Sequence, residues 1–133
     1  IGFDLIKNPK LLYTAYNDSK GLFEKFNLHL LDRINQVLDG NFKKELFIQQ
    51  GHYNPKSHAI ESYIYSIRSQ TVYINRLNRE FKFKAWEGIQ TEQSFKYSTE
   101  DIKILAEENG FEVQESLYDS NKYFVDSVWR VKK

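Results

Sequence analysis

The sequence predicts a mixed α/β fold, α+β in layout: a helix pair, a run of antiparallel strands, and a closing helix followed by two strands. Three observations predict it. Apolar residues recur at spacings of three and four from Leu22 to Val37, the period of an amphipathic helix. Between His58 and Arg68 the period falls to two, which belongs to a strand. Ser98-Thr99-Glu100-Asp101 then opens a helix with a capping-box pattern, Gly110 stops it, and two β-rich runs finish the chain.

Taken in order, Ile1–Ile6 reads as a first strand, ended by Lys7-Asn8-Pro9. Asn8 suits an N-cap and Pro9 the first helical position, so a helix runs to about Tyr16, where Asn17-Asp18-Ser19 closes it. A longer helix spans about Lys20 to Leu38. Its predicted buried face carries Leu22, Phe23, Phe26, Leu30, Ile34 and Val37, and Asp39-Gly40 stops it. Ile48–Tyr53 is a strand, followed by the turn Asn54-Pro55-Lys56-Ser57. In the next strand Ile60, Ser62, Ile64 and Ser66 share one face, and Ala59, Glu61, Tyr63, Tyr65 and Ile67 the other. Thr71–Leu77 and Glu80–Trp86, joined by Asn78-Arg79, complete an expected antiparallel meander with one wet side. The closing strands are Phe111–Tyr118 and Tyr123–Val131.

Composition narrows the class. A chain of 133 residues fits one domain. Nineteen basic residues offset 18 acidic ones, so no overall field points to nucleic acid or a membrane surface. No run of about 18 apolar residues and no signal-peptide pattern occurs, which gives a soluble, cytoplasmic protein as the default expectation. Without cysteine there is no thiolate site. His29, His52 and His58 lack ligand spacing, so no metal site is expected. The glycines are isolated, and no nucleotide-binding loop is visible. The absence of Met and an opening directly on a strand are what a piece of a longer protein would show.

Two segments carry candidate chemistry. In Gly88-Ile-Gln-Thr-Glu-Gln-Ser-Phe-Lys-Tyr97, Glu92 and Ser94 stand two apart, and in an extended segment they point to one face. A carboxylate beside a hydroxyl suits a small ligand bearing N–H groups, such as an imidazole or an amine. The plainer alternative is a solvated strand end leading to the Ser98 cap. The other segment is Ala15-Tyr16-Asn17-Asp18. Residue pattern alone leaves Tyr16 open between a site residue and an amphipathic residue at a helix end, followed by ordinary turn chemistry.

Together these segments resemble the histidine-specific Nα-methyltransferase family, whose best-known member acts in ergothioneine biosynthesis. Gly2-Phe-Asp-Leu-Ile-Lys-Asn8, Leu12-Tyr-Thr-Ala-Tyr-Asn-Asp-Ser-Lys-Gly21, Phe26-Asn-Leu-His-Leu-Leu31 and Thr91-Glu-Gln-Ser-Phe-Lys-Tyr97 resemble its motifs in order, across nearly all of the chain. The resemblance implies the C-terminal part of a Rossmann-like methyltransferase sheet. In that frame residues 1–6 and 97–133 belong to the core sheet, with Ile1–Ile6 as its fifth strand. Residues 7–96 form a substrate-binding insertion of a helix pair and an antiparallel sheet.

By the same resemblance Tyr16 binds the substrate's α-carboxylate, while Glu92 and Ser94 hold an imidazole. The implied reaction moves a methyl group from S-adenosylmethionine, bound mainly by parts of the family fold outside this chain, to the α-amine of histidine or a related amino acid. No general base is identified, and the piece alone is expected to be inactive. A departure lies at Ser62, where the ergothioneine-pathway member carries methionine after its Ile-Glu; the pocket wall is more polar here. A non-catalytic binding or assembly module keeping the same fold is the alternative. Exposure of the first strand's edge leads to an expectation of self-association.

Overall fold

Local signals set most of the elements in the computed structural model, which describes residues 1–133. Strand β1 (Gly2–Asp4) leads to α1 (Pro9–Tyr16), where the Asn8 side chain accepts from the Lys10 amide at 2.9 Å and Pro9 fills the first turn. Asp18 then caps α2 (Leu22–Leu38), accepting from the amides of Leu22 at 3.0 Å and Phe23 at 2.9 Å. Those two bonds, Phe23's first, hold the Asp18 carboxyl below its ordinary range. Gly21, with φ of +63°, makes the bend between cap and helix.

Next come β2 (Phe47–Asn54), β3 (Ala59–Ser66), β4 (Gln70–Ile74), β5 (Arg79–Phe83) and β6 (Gly88–Phe95). Then α3 (Thr99–Glu108), with the expected reciprocal capping box of Ser98 and Asp101, precedes β7 (Phe111–Tyr118) and β8 (Phe124–Val131). All three sheets are antiparallel, ordered β2-β3-β6, β4-β5 and β1-β8-β7. No helix is long and apolar enough to cross a membrane.

Three expectations change. The strands from 48 to 86 do not run as one meander, because β3 pairs with the later β6 and β4-β5 stands as a separate hairpin. The chain turns out of the β3 plane where Gln70 donates to Ser66 Oγ at 2.6 Å, and Val72 and Ile74 are thereby buried against Leu31 and Phe47. The first strand is shorter than Ile1–Ile6: only Gly2–Asp4 pairs with β8, and Leu5 makes a single parallel bridge to Tyr97.

The third change concerns the buried face of α2. Leu22, Phe26, Leu30 and Val37 are exposed, Phe26 at 72%. Ile34 packs as expected, but the rest of the packed stripe is Asn27, Leu28, Leu31 and Leu38. The helix carries two apolar stripes at helical spacing, and a periodicity argument cannot say which of them meets the sheet.

Two separate apolar clusters result. One joins Leu31, Phe42, Phe47, Ile64, Val72 and Ile74; the other joins Phe3, Leu5, Ile102 and Val125. Each fully buried Leu or Ile side chain adds about 1.5–3 kcal/mol by leaving water. The seam between the clusters is polar. Lys96 crosses it to Asp4 at 3.1 Å, and on the second cluster's side the Tyr97 amide donates to the Asp4 carbonyl and the Ile6 amide to the Tyr97 carbonyl, both at 3.0 Å.

Candidate functional site

A one-residue bulge sets which side chains of β6 face inward. Ile89 pairs with Ile64 and Gln90 with Tyr63, but Glu92 pairs with Ser62, so Thr91 is extra. A regular strand that buried Ile89 would also bury residues 91, 93 and 95. The bulge reverses that parity and brings Glu92, Ser94 and Lys96 to the inner face, opposite Ser62 and Ile60. Thr91 secures the bulge by donating to Asn27 Oδ1 at 2.8 Å, and the Asn27 amide in turn donates to the Phe23 carbonyl of α2.

Tyr16 reaches this face from the end of α1 because β2 has a glycine beneath it. A Cβ on Gly51 would lie 2.9 Å from Tyr16 Cβ and 3.3 Å from Asn17 Nδ2. Asn17 fastens the helix end to the strand: its Oδ1 accepts from the Gly51 amide at 2.9 Å and its Nδ2 donates to the Gly51 carbonyl at 3.1 Å. The Tyr16 ring stacks edge-on against Phe23 with centroids 4.8 Å apart. Asn17 and Asp18 thus have separate structural duties, a clamp and a cap, beyond ordinary turn chemistry.

The structure brings Tyr16 and Ser94 into direct contact. Tyr16 Oη donates to Ser94 Oγ at 2.7 Å. Lys96 Nζ donates to Ser94 Oγ at 2.6 Å and to Tyr16 Oη at 2.9 Å, and lies 3.1 Å from Asp4 Oδ2. The Lys96 side chain is wholly buried, with Asp4 as its counter-ion, and Lys7 also holds Asp4. A buried ammonium survives only when its charge and all three protons are matched, and here they are.

Glu92 stands apart from this network. It lies one step along the same face, about 7 Å from Ser94 by strand rise. It lines an open depression of about 410 Å³ with Phe26, Asn27, His29, Leu30, Arg33 and Thr91. No side chain of the protein bonds its carboxylate. Next to Glu92 in the register, Ser62 Oγ is buried without a hydrogen-bond partner. A wider trough of about 1160 Å³ along β7 and β8 is lined by residues between Glu112 and Lys133 and involves none of these side chains.

Of the residues expected from sequence, two are joined and the third shares their face at a distance. Lys96, Asp4 and Gly51 were not expected. Lys96 had a visible signal, since it continues the same i, i+2 series as Glu92 and Ser94. Asp4 and Gly51 had none, because their roles depend on strands meeting α1 and β6 in space.

Comparison with known proteins decides the family. A model of the histidine-specific, SAM-dependent methyltransferases matches residues 1–131. The chain belongs to the histidine-specific, S-adenosylmethionine-dependent methyltransferase family. It is similar to the histidine N-alpha-methyltransferase of Mycolicibacterium smegmatis, 30% identical over 110 residues, which cover 83% of this chain and 34% of the relative. The histidine N-alpha-methyltransferase of Mycobacterium tuberculosis is 29% identical over 102 residues, 77% of this chain and 32% of the relative. The chain therefore spans about a third of the length of the curated relatives it matches. Its membership of this methyltransferase family agrees with the resemblance carried by the motifs from Gly2 to Tyr97.

Proposed function

We propose that this chain is the acceptor-binding portion of an enzyme that methylates the α-amine of histidine or a related amino acid, with S-adenosylmethionine as methyl donor. The observation that carries the proposal is the charge layout along one inner face. At one end Lys96 and Lys7 outweigh Asp4 beside two hydroxyls, and at the other Glu92 presents a carboxylate with no protein partner. An amino acid with an N–H-bearing ring is the small molecule complementary to that face. Its carboxylate meets Tyr16 and its ring N–H meets Glu92. Ser94, whose oxygen still accepts from Lys96 once Tyr16 turns its proton to the carboxylate, donates its own proton to the remaining ring nitrogen.

S-adenosylmethionine comes with the family. The residues of this chain do not fit it well: the six glycines are scattered, and none links a strand directly to a helix as a cofactor-binding turn requires. We derive no transfer step through the cofactor. The contribution of these residues is to hold the acceptor in place, which for an in-line displacement is a large share of the catalysis.

In this proposal residues 7–96 are the substrate-binding insertion, and residues 1–6 and 97–133 belong to a Rossmann-like core sheet that β7 and β8 end in antiparallel fashion. The two separate apolar clusters support that division. The open edge of β1 and the exposed Leu22, Phe26 and Leu30 support self-association of the piece when isolated; a clean monomer by light scattering at high concentration would remove that point.

The deciding experiment titrates the full-length protein with L-histidine in the presence of S-adenosylhomocysteine, then follows methyl transfer by mass spectrometry across an amino-acid panel. Methylated histidine is the expected product. Binding of another amine with no response to histidine would sink the histidine assignment. Binding without transfer under any condition would favour a non-catalytic module.

A further inference from the structure

Lys96 has all three of its ammonium protons committed inside the protein, to Asp4, Tyr16 and Ser94, so it cannot bond a ligand directly. What it does to the two hydroxyls is more consequential. It bonds both of their oxygens, which leaves the pair with two hydroxyl protons: one lies between the oxygens at 2.7 Å and the other faces away from Lys96. When Tyr16 turns its proton outward, Ser94 Oγ still accepts from Lys96 and is not left unsatisfied. The ammonium also polarises both oxygens, which makes the pair strong donors and poor acceptors. Its charge is only shared with Asp4, because Lys7 binds the same carboxylate, and the three groups together carry one net positive charge.

We propose that Lys96 is a positioning residue that, by holding both oxygens of the Tyr16–Ser94 pair, frees the Tyr16 proton for an anion subsite, the place where the α-carboxylate of the amino-acid ligand binds, while Ser94 keeps its own proton for the ring. The inference rests on the amino-acid reading given under the proposed function. It goes beyond that reading by naming a buried residue, remote from the ligand, as the source of carboxylate selectivity.

The test compares an amino acid with its decarboxylated amine on the full-length protein. Affinities of L-histidine and histamine are measured by titration calorimetry with S-adenosylhomocysteine present, for wild type, Lys96→Met and Asp4→Asn. Wild type should prefer histidine. Lys96→Met should lower histidine affinity about 10- to 100-fold, the worth of a charge-assisted hydrogen bond, and lower histamine, which has the ring but no carboxylate, clearly less. Asp4→Asn keeps an acceptor for Lys96 but removes the neutralising charge, so the preference for histidine should rise. Mere structural damage cannot produce that sign.

Equal losses for both ligands in Lys96→Met would overturn the proposal, as would a wild type indifferent to the carboxylate. An Asp4→Asn preference that falls or stays put would do the same. Should Lys96→Met not fold, Lys96→Gln, which keeps a hydrogen-bond donor without the charge, decides by the same ratio. If wild type ignores histidine but binds another amino acid, the histidine assignment fails separately, and the same ratio measured with that amino acid and its amine judges Lys96.

Discussion

Gly51→Ala is the sharpest probe of how the fold builds the site, because it adds one methyl group at a point remote from any charge. The added Cβ would sit 2.9 Å from Tyr16 Cβ, closer than real Cβ atoms come, and 3.3 Å from Asn17 Nδ2. Relief to the 3.4 Å of an ordinary contact requires about half an ångström of movement. Neither obstructing atom is the loose end of a flexible side chain. Tyr16 Cβ is fixed to the backbone at the end of α1, and Asn17 Nδ2 is bonded to the Gly51 carbonyl at 3.1 Å. The movement therefore passes to the α1 terminus and lengthens the 2.7 and 2.9 Å bonds that link Tyr16 Oη to Ser94 and Lys96. Overpacking of this kind costs about 1–3 kcal/mol of stability. Misplacement of a binding group by this much weakens binding about tenfold or more. Urea unfolding followed by circular dichroism reads the first effect, and histidine titration of the full-length protein the second. A variant with wild-type midpoint and wild-type affinity would refute the claim that Gly51 makes room for Tyr16.

Glu92→Gln keeps the shape of the side chain and removes its charge; histidine affinity should fall by about 1.5–3 kcal/mol, and an unchanged dissociation constant would take Glu92 out of the site. Ser62→Ala deletes a buried hydroxyl with no protein partner, so unfolding should show equal or slightly greater stability, by up to about 1 kcal/mol. A clear loss of stability would show that the hydroxyl has a partner in solution. Asp18, Asp101 and Asp119 are all held below the ordinary carboxyl range, Asp18 and Asp119 by backbone amides first and Asp101 first by the Ser98 hydroxyl. Because their folded pKa values are depressed, the stability they add is complete above the unfolded value, near 3.8, and is lost as pH falls through the lower folded values. Asp101→Asn should therefore narrow the stability gap between neutral and acid pH, as measured by thermal melts across that range; an unaltered pH dependence would contradict the assignment.

The elements were legible where a single residue carries a local instruction. Asn8, Pro9, Ser98, Asp101 and Gly110 act within one turn of chain, and they sit where the sequence placed them. Strand order was not legible, since β6 and the β4-β5 hairpin compete for the edge of β3 and the outcome depends on burying Val72 and Ile74. The exposed stripe of α2 shows the same limit: Leu22, Phe26 and Leu30 obey helical spacing as well as Leu31 and Leu38 do. At the site, the shared face of Glu92 and Ser94 was predictable from their spacing. That the face is the inner one was not, because it follows from the Thr91 bulge.

The position of the site also ties binding to the integrity of the seam. Lys96, just past the end of β6, is wholly buried and paired with Asp4. Its ammonium belongs to one side through Tyr16 and Ser94 and to the other through Asp4, a residue of β1. Opening the seam would leave the buried Lys96 ammonium without its counter-ion, at a cost of several kcal/mol unless water entered, while Asp4 would keep Lys7. The same bonds that aim the two hydroxyls thus resist separation of the two cores. A ligand carboxylate that strengthens the Tyr16–Lys96–Asp4 chain should tighten this junction, since a ligand bound only to the closed form stabilises it by mass action. The Tyr97 amide, next to Lys96 and bonded to the Asp4 carbonyl beside the ion pair, is where hydrogen exchange should slow when the amino acid binds, and equal exchange with and without ligand would separate the site from the junction.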